Sequence, residues 1–121
     1  MNGVVVVDKP AGITSHDAVE RVRKLLGEKK AGHTGTLDPM ATGVLPVCVG
    51  EATKLASFLA GDDKTYEVTM RLGVRTDTLD MTGRVLDEQE PRVTGADVRA
   101  VLEGFAGTIT QVPPQYSAVK V

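Results

Sequence analysis

The spacing of apolar residues predicts an α+β fold with a mixed, largely antiparallel sheet and flanking helices. Residues 4–7 are four consecutive valines, which favour an extended strand. Apolar residues recur at helical spacing through 15–26 and alternate with other residues through 66–72. Along the chain these patterns give the order strand, helix, loop, strand, helix, strand, loop, strand, helix, strand.

Composition limits the classes of function. The chain has 121 residues, 41% of them hydrophobic and 25% charged, which suits one small globular domain. One cysteine and two histidines exclude an internal disulfide and the usual zinc sites. No apolar run approaches membrane-spanning length, and the start lacks the basic segment of a signal peptide. We therefore expect a cytoplasmic protein with no membrane contact and no metal.

The formal net charge of −2 argues against a general nucleic-acid coat. Residues 1–60 nevertheless carry seven Lys/Arg against six Asp/Glu, whereas residues 61–97 carry five against nine. Only 3% of residues are aromatic, so an aromatic platform for base stacking is not expected. Any RNA-facing surface should therefore be local and come mostly from the first half of the chain.

The first two elements are predicted from local signals. The valine run should form a strand buried on both faces, ending in the turn at 8–12. The stretch 14–17 has the spacing of a capping box, with Thr14 or Ser15 as the N-cap and Asp17 near the helix dipole, so a helix should cover 15–26 and end at Gly27. Its other face carries the basic residues Arg21 and Lys24, which are either a solvated surface or a contact for RNA phosphates.

The remaining elements follow in order. Residues 44–49 should form a buried strand, residues 51–60 a helix, and residues 66–72 a strand. Residues 73–83 resemble a loop, and a short strand with an acidic connector should occupy 84–93. A second capping box at Thr94 and Asp97 should begin a helix that runs to Gly107, and a strand should follow at 108–112.

The most constrained stretch is the loop at 32–46, Gly-His-Thr-Gly-Thr-Leu-Asp-Pro-Met-Ala-Thr-Gly-Val-Leu-Pro. Its glycines allow close turns, and Pro39 restricts the backbone of Asp38. Such a loop holds one carboxylate in a fixed direction. The residues leave two readings open: a tight turn in which Asp38 caps a neighbouring N–H, or a functional carboxylate.

These fifteen consecutive residues resemble the catalytic motif of the TruB-type tRNA pseudouridine synthases. The resemblance implies that Asp38 is a nucleophile acting on uridine 55 in the T-arm of tRNA, which the enzyme flips out of its stack. It further implies that His33 fills the space left by the flipped base. Thr36 lies in the same motif and is a candidate RNA contact. No metal, nucleotide or redox cofactor is implied.

Three shorter stretches also resemble motifs of this family. Asp-Lys-Pro-Ala-Gly at 8–12 implies a contact or supporting role beside the catalytic loop for Lys9. Lys-Thr-Tyr at 64–66 implies that Tyr66 packs on the target base, with Lys64 nearby. Pro-Pro-Gln-Tyr-Ser-Ala-Val-Lys at 113–120 implies that Tyr116 and Lys120 are pocket walls. In the loop at 73–83, Asp77 or Asp80 is the acid that would help order the pocket.

The resemblance covers residues 1–121 as the N-terminal portion of a catalytic domain. It implies that the rest of that domain, with the arginine that pairs with the catalytic aspartate, and an RNA-binding domain lie outside this sequence. The expected substrate is the T-arm stem-loop of tRNA. Two alternatives stay open: a tRNA-binding fragment without catalysis, and one half of a split enzyme that needs a complementary C-terminal polypeptide.

Overall fold

The computed structural model describes residues 1–114, which fall into two compact units, residues 1–66 and the residues from Glu67 onward. The first unit holds β1 (Gly3–Lys9), α1 (Ser15–Leu26), β2 (Ala31–His33), β3 (Gly43–Val49), a 3₁₀ helix (Gly50–Leu55) and α2 (Ala56–Ala60). The second holds β4 (Val74–Thr76), β5 (Val85–Glu88) and α3 (Gly95–Glu103). The predicted α+β class is confirmed.

The first unit is built on an antiparallel sheet in the order β1-β3-β2. In β1, Val5 pairs with Val47 and Val7 with Leu45, and β2 joins the other edge of β3. α1 covers one face of this sheet. The core consists of buried residues from α1 and β3: Ala18, Val19, Val22, Leu45, Val47 and Val49.

The predicted helix over 15–26 has the predicted ends. The Thr14 side chain accepts a bond from the Asp17 amide, the Asp17 carboxylate accepts one from the Thr14 amide, and Gly27 ends the helix in the left-handed region at φ 65°. The same capping box begins α3 at Thr94 and Asp97. Both starts are fixed by residues within four positions of each other, which is why sequence alone predicts them.

The β1 strand is not buried on both faces, because only one face of its sheet is covered. Val5 and Val7 pack against the core, whereas Val4 is 45% exposed and Val6 67% exposed. Val44, predicted as part of a buried strand, is also exposed on β3. The strand β2 was not expected, because a three-residue strand containing glycine has no alternating pattern of its own.

The second unit differs from prediction in its strands. Residues 66–72 and 108–112 form no strand, since neither stretch pairs with another strand within residues 1–114. The predicted loop at 73–83 instead begins with β4, which pairs antiparallel with β5. The helix predicted up to Gly107 ends at Glu103, and the helix predicted over 51–60 is divided into a 3₁₀ segment and α2.

Candidate active site

The side chain of Asp38 is exposed in the loop between β2 and β3. Its backbone carbonyl accepts a 2.9 Å hydrogen bond from the Ala41 amide, closing a turn. Within residues 1–114 its carboxylate has no hydrogen bond or ion pair, so it caps no neighbouring N–H there. Of the two readings of this loop, the geometry favours a carboxylate that is free to meet a ligand.

The two residues that flank Asp38 are each fastened to the start of α1 or to the turn before it. The Ser15 hydroxyl accepts from the Leu37 amide at 2.9 Å and donates to the Leu37 carbonyl at 3.1 Å. The Pro39 carbonyl accepts from the Gly12 amide at 2.8 Å. Backbone bonds on both sides therefore fix the position of the Asp38 Cα, while its side chain remains in solvent.

Lys9 lies beneath this loop and is completely buried. Its ammonium group donates to the carbonyls of Pro10 at 2.9 Å, Ile13 at 2.8 Å and Pro39 at 3.2 Å. An ammonium has three N–H donors, and these three carbonyls use them. This geometry leaves no donor of the ammonium for a direct contact with RNA.

His33 ends β2, where it pairs with Val47 of the central strand. Its side chain is half-buried, and its Nδ1 atom is buried without a hydrogen-bond partner among the described residues. The next residue, Thr34, is buried, and its amide donates to the Pro46 carbonyl at 3.1 Å. His33 therefore stands at the end of a paired strand, where the loop that carries Asp38 begins, and Thr36 is exposed within that loop.

Lys64 also reaches this loop. A Cβ atom placed on Gly35 would lie 3.4 Å from the Lys64 Cε atom, so the aliphatic stem passes close to the loop backbone. The Lys64 ammonium donates to the Ala60 and Asp62 carbonyls, both at 2.8 Å. Two positions later, Tyr66 is 61% exposed and belongs to no helix or strand, although a strand was predicted there.

Asp77 and Asp80 belong to the second unit, where both accept hydrogen bonds within the loop between β4 and β5. The Asp80 carboxylate accepts bonds from the Thr82 hydroxyl at 2.6 Å, the Thr78 hydroxyl at 2.7 Å and the Thr82 amide at 2.8 Å. These bonds stabilise the charged form and hold the pKa of Asp80 below its usual value. Asp77 accepts from the Arg84 amide at 2.8 Å.

The remaining predicted site residues lie elsewhere or outside the described part of the chain. Tyr116 and Lys120 lie outside the described residues. On the solvent face of α1, Arg21 and Lys24 are exposed, whereas Arg23 forms an ion pair with Glu20. Ser15 was missed as a site-supporting residue. A signal existed: Thr14 and Asp17 complete the capping box by themselves, which leaves the Ser15 hydroxyl available for another partner.

Comparison with known protein families shows to which family the chain belongs. A sequence model described as TruB family pseudouridylate synthase (N terminal domain) matches residues 23–121. The chain belongs to the TruB family. Within residues 1–114, no helix is long and apolar enough to cross a membrane.

Curated TruB relatives match almost the whole chain. A tRNA pseudouridine synthase B from Syntrophus aciditrophicus is 54% identical over 120 residues, covering 99% of this chain and 38% of its own length. The protein of the same name from Burkholderia mallei is 57% identical over 120 residues, with 99% and 40% covered. The chain therefore spans about two-fifths of the length of these relatives.

The TruB fold is also similar to a solved structure. A chain from the crystal structure of a Cbf5-Nop10-Gar1 complex aligns with 98% of this chain and 31% of its own, at a TM-score of 0.66 and 32% identity. The alignment extends over both units. It agrees with the α+β class described above.

Proposed function

We propose that this chain is the N-terminal part of a tRNA pseudouridine synthase that converts uridine 55 of the T-arm to pseudouridine, with Asp38 as the nucleophile. The observation that carries the proposal is an exposed carboxylate, free of protein partners within residues 1–114, on a loop anchored at both neighbouring residues. The family membership and the names of the curated relatives support the reaction class. The site of action is the cytoplasm.

The reaction needs no external group. The target base leaves its stack, and Asp38 adds to the base or to the sugar carbon C1′. The glycosidic C1′–N1 bond breaks, the base rotates, and a C1′–C5 bond forms. C5 then loses its proton, N1 gains one, and Asp38 is released. The substrate and product are isomers, so atoms and electrons balance without an oxidant or co-substrate.

The other residues have positioning or contact roles in this proposal. His33 occupies the space that the flipped base leaves, and its rigid strand position supports that role. Tyr66 packs on the base with its exposed ring, while Lys64 and Thr36 contact RNA from the same loop region. Lys9 positions the loop from below without touching substrate.

Tyr116 and Lys120 are assigned to pocket walls by the family resemblance alone. The T-arm stem-loop is the proposed RNA partner. A complementary C-terminal polypeptide is the second proposed partner, and it would supply the arginine that pairs with Asp38. That pairing would favour the charged, nucleophilic form of the carboxylate.

A second candidate function follows because Asp38 has no basic partner within residues 1–114. Without a guanidinium beside it, the chain could bind a T-arm without modifying it. An assay with an added C-terminal polypeptide distinguishes the two functions. A synthase gains pseudouridine formation when that polypeptide is present, whereas a binding fragment gains none.

The direct test uses a chimera, in which residues 1–121 replace the matching N-terminal two-fifths of the Syntrophus aciditrophicus relative. Pseudouridine in a T-arm stem-loop is mapped by carbodiimide modification and mass spectrometry. We expect conversion by the chimera and none by its Asp38→Asn variant, which keeps the side-chain shape and removes the nucleophile. Asp87→Asn, on exposed β5, is the matched control and should convert normally.

Equal conversion by the Asp38→Asn and Asp87→Asn chimeras would refute Asp38 as the nucleophile. Binding of the stem-loop by every chimera, with conversion by none, would favour the binding fragment. Conversion of a uridine of the stem-loop other than the one at position 55 would refute the proposed target while leaving the reaction intact.

A further inference from the structure

Lys64 contacts two parts of the first unit at once. Its ammonium donates to the carbonyls of Ala60 and Asp62, both at 2.8 Å. Its Cε atom lies against Gly35, where an added Cβ would stand 3.4 Å from it. The ammonium therefore holds the aliphatic stem over the loop that carries Asp38, at a position that is open because glycine has no side chain.

The Lys64 ammonium binds the chain at the end of α2. The last carbonyls of a helix have no partner within the helix. The Phe58 and Leu59 carbonyls accept from the amides that follow α2, at 3.3 and 3.2 Å. The Ala60 carbonyl accepts from the Lys64 ammonium instead. Lys64 therefore joins the end of this helix to the loop beside it.

The position of Tyr66 depends on where Lys64 is held. Residues 63–66 belong to no helix or strand, so no ladder of backbone hydrogen bonds fixes them. Two residues of extended chain span at most about 7 Å. Fixing Lys64 against Gly35 therefore restricts the exposed ring of Tyr66 to a small region near the same loop.

The hydrogen bonds of Lys64 leave room for only one further partner. An ammonium has three N–H donors, and two are used within the chain. The contact with RNA put forward above would use the third. A contact with RNA alone needs neither the two carbonyls nor the stem on Gly35, because a phosphate binds an exposed ammonium as a point charge. The internal contacts therefore indicate a second role, within the protein.

We propose that Lys64 is a positioning residue of the synthase, which fixes Tyr66, and with it the target base, relative to the loop that carries Asp38. The inference rests on the function proposed above, in which Tyr66 packs on the base and Asp38 is the nucleophile. In this role Lys64 touches no reacting atom. It aligns two groups that do, and a misplacement of about 1 Å can lower a rate by about 100-fold.

Arginine at position 64 separates this positioning role from a contact with RNA. Lys64→Arg keeps the positive charge, and a guanidinium is well suited to binding phosphate. It does not reproduce the internal contacts, because its polar Nε atom stands where the Cε of lysine packs on Gly35. Its Cζ carbon likewise stands where lysine has its nitrogen, so the outer donors are displaced from the two carbonyls. Lys64→Met keeps an unbranched stem and removes both the charge and the donors.

Single-turnover conversion of the T-arm stem-loop by the chimera measures the positioning role, and the dissociation constant measures the contact with RNA. We expect the conversion rate at saturating chimera to fall about 10- to 100-fold in both variants. Lys64→Arg should retain the affinity and its salt dependence, whereas Lys64→Met should lower the salt slope by about one. The control is Lys29→Met, an exposed lysine without a hydrogen bond or ion pair within residues 1–114, and its conversion rate should stay within about twofold.

A second measurement needs neither RNA nor conversion. Hydrogen exchange of the chimera, followed by mass spectrometry, reports on the peptides that contain residues 33–37 and 58–62. Exchange in both peptides should be about threefold or more faster in the two Lys64 variants, because the contact that joins them is lost. Exchange in α1, which the core holds, should stay unchanged.

Full restoration of the conversion rate by Lys64→Arg would overturn the proposal, because charge alone would then be sufficient. An unchanged rate for Lys64→Met, a loss confined to affinity, or unchanged exchange in both peptides would overturn it as well. Normal conversion by every variant contradicts the positioning role and supports the proposed function. Faster exchange in both peptides of a chimera that converts no uridine would contradict the proposed function and support the contact, so the two failures are distinguishable.

Discussion

Replacing Lys9 with methionine should destabilise the first unit, because the buried ammonium joins three carbonyls below the catalytic-type loop. Methionine keeps an unbranched stem and removes the donors. The Pro39 carbonyl retains the Gly12 amide, but the Pro10 and Ile13 carbonyls lose the ammonium.

The magnitude follows from those two lost partners. A buried carbonyl left without its donor costs about 1–3 kcal/mol, and the cost is at the low end here because Pro10 is exposed and Ile13 half-buried. Removing a buried charge offsets part of this loss of stability, since burial of an ammonium is itself unfavourable. We expect a net loss of about 1–2 kcal/mol, a sizeable fraction of the stability of a small domain, which is about 5–15 kcal/mol.

Urea unfolding followed by far-ultraviolet circular dichroism measures this loss. With a slope of about 1 kcal/mol per molar urea for a small unit, the midpoint should fall by about 1–2 M. Lys24→Met, on the exposed face of α1, is the control and should stay within about 0.5 kcal/mol of the unaltered chain. Equal midpoints for the two variants, with reduced salt dependence of RNA binding for Lys9→Met, would refute the supporting role.

Three further predictions concern neighbouring features. Ser15→Ala should cost about 1–3 kcal/mol and lower kcat of the chimera more than it changes KM, because the Leu37 amide loses its partner; an effect confined to KM would contradict this. By thermal unfolding, Gly50→Ala should destabilise more than Gly27→Ala: both have φ near +60°, but only at Gly50 would a Cβ overlap the N-terminal segment. The Thr14 amide and hydroxyl lower the pKa of Asp17, so its contribution to stability is complete above the ordinary aspartate pKa and is lost as pH falls through the lowered value; unfolding midpoints against pH should be flatter for Asp17→Asn.

Sequence predicted best those features whose causes are local. The start of α1 follows from Thr14 and Asp17 and its end from Gly27, and each of these residues lies within one turn of the helix end that it fixes. The strand β2 was missed because its hydrogen bonds come from β3, across an intervening loop. Residues 66–72 were wrongly predicted as a strand because alternation describes side chains, whereas a strand also needs a pairing neighbour.

Among the candidate site residues, too, only those with local sequence signals could be predicted. Asp38 was proposed from the resemblance of its motif, which is visible because its fifteen residues are consecutive in the sequence. The burial of Lys9 could not be predicted, since most lysines are solvated and its Pro39 partner lies 30 residues away. Ser15 binds Leu37 at a separation of 22 residues, and only the folded chain brings them together.

The hydrogen bonds that hold Leu37 and Pro39 in place affect how the side chain of Asp38 between them can be oriented. With the flanking peptides held by Ser15, Gly12 and Lys9, the Asp38 side chain keeps only its two torsion angles to settle. Halting the rotation of so short a side chain costs little entropy. One well-placed cation can therefore direct the oxygen pair without reshaping the polypeptide that carries it.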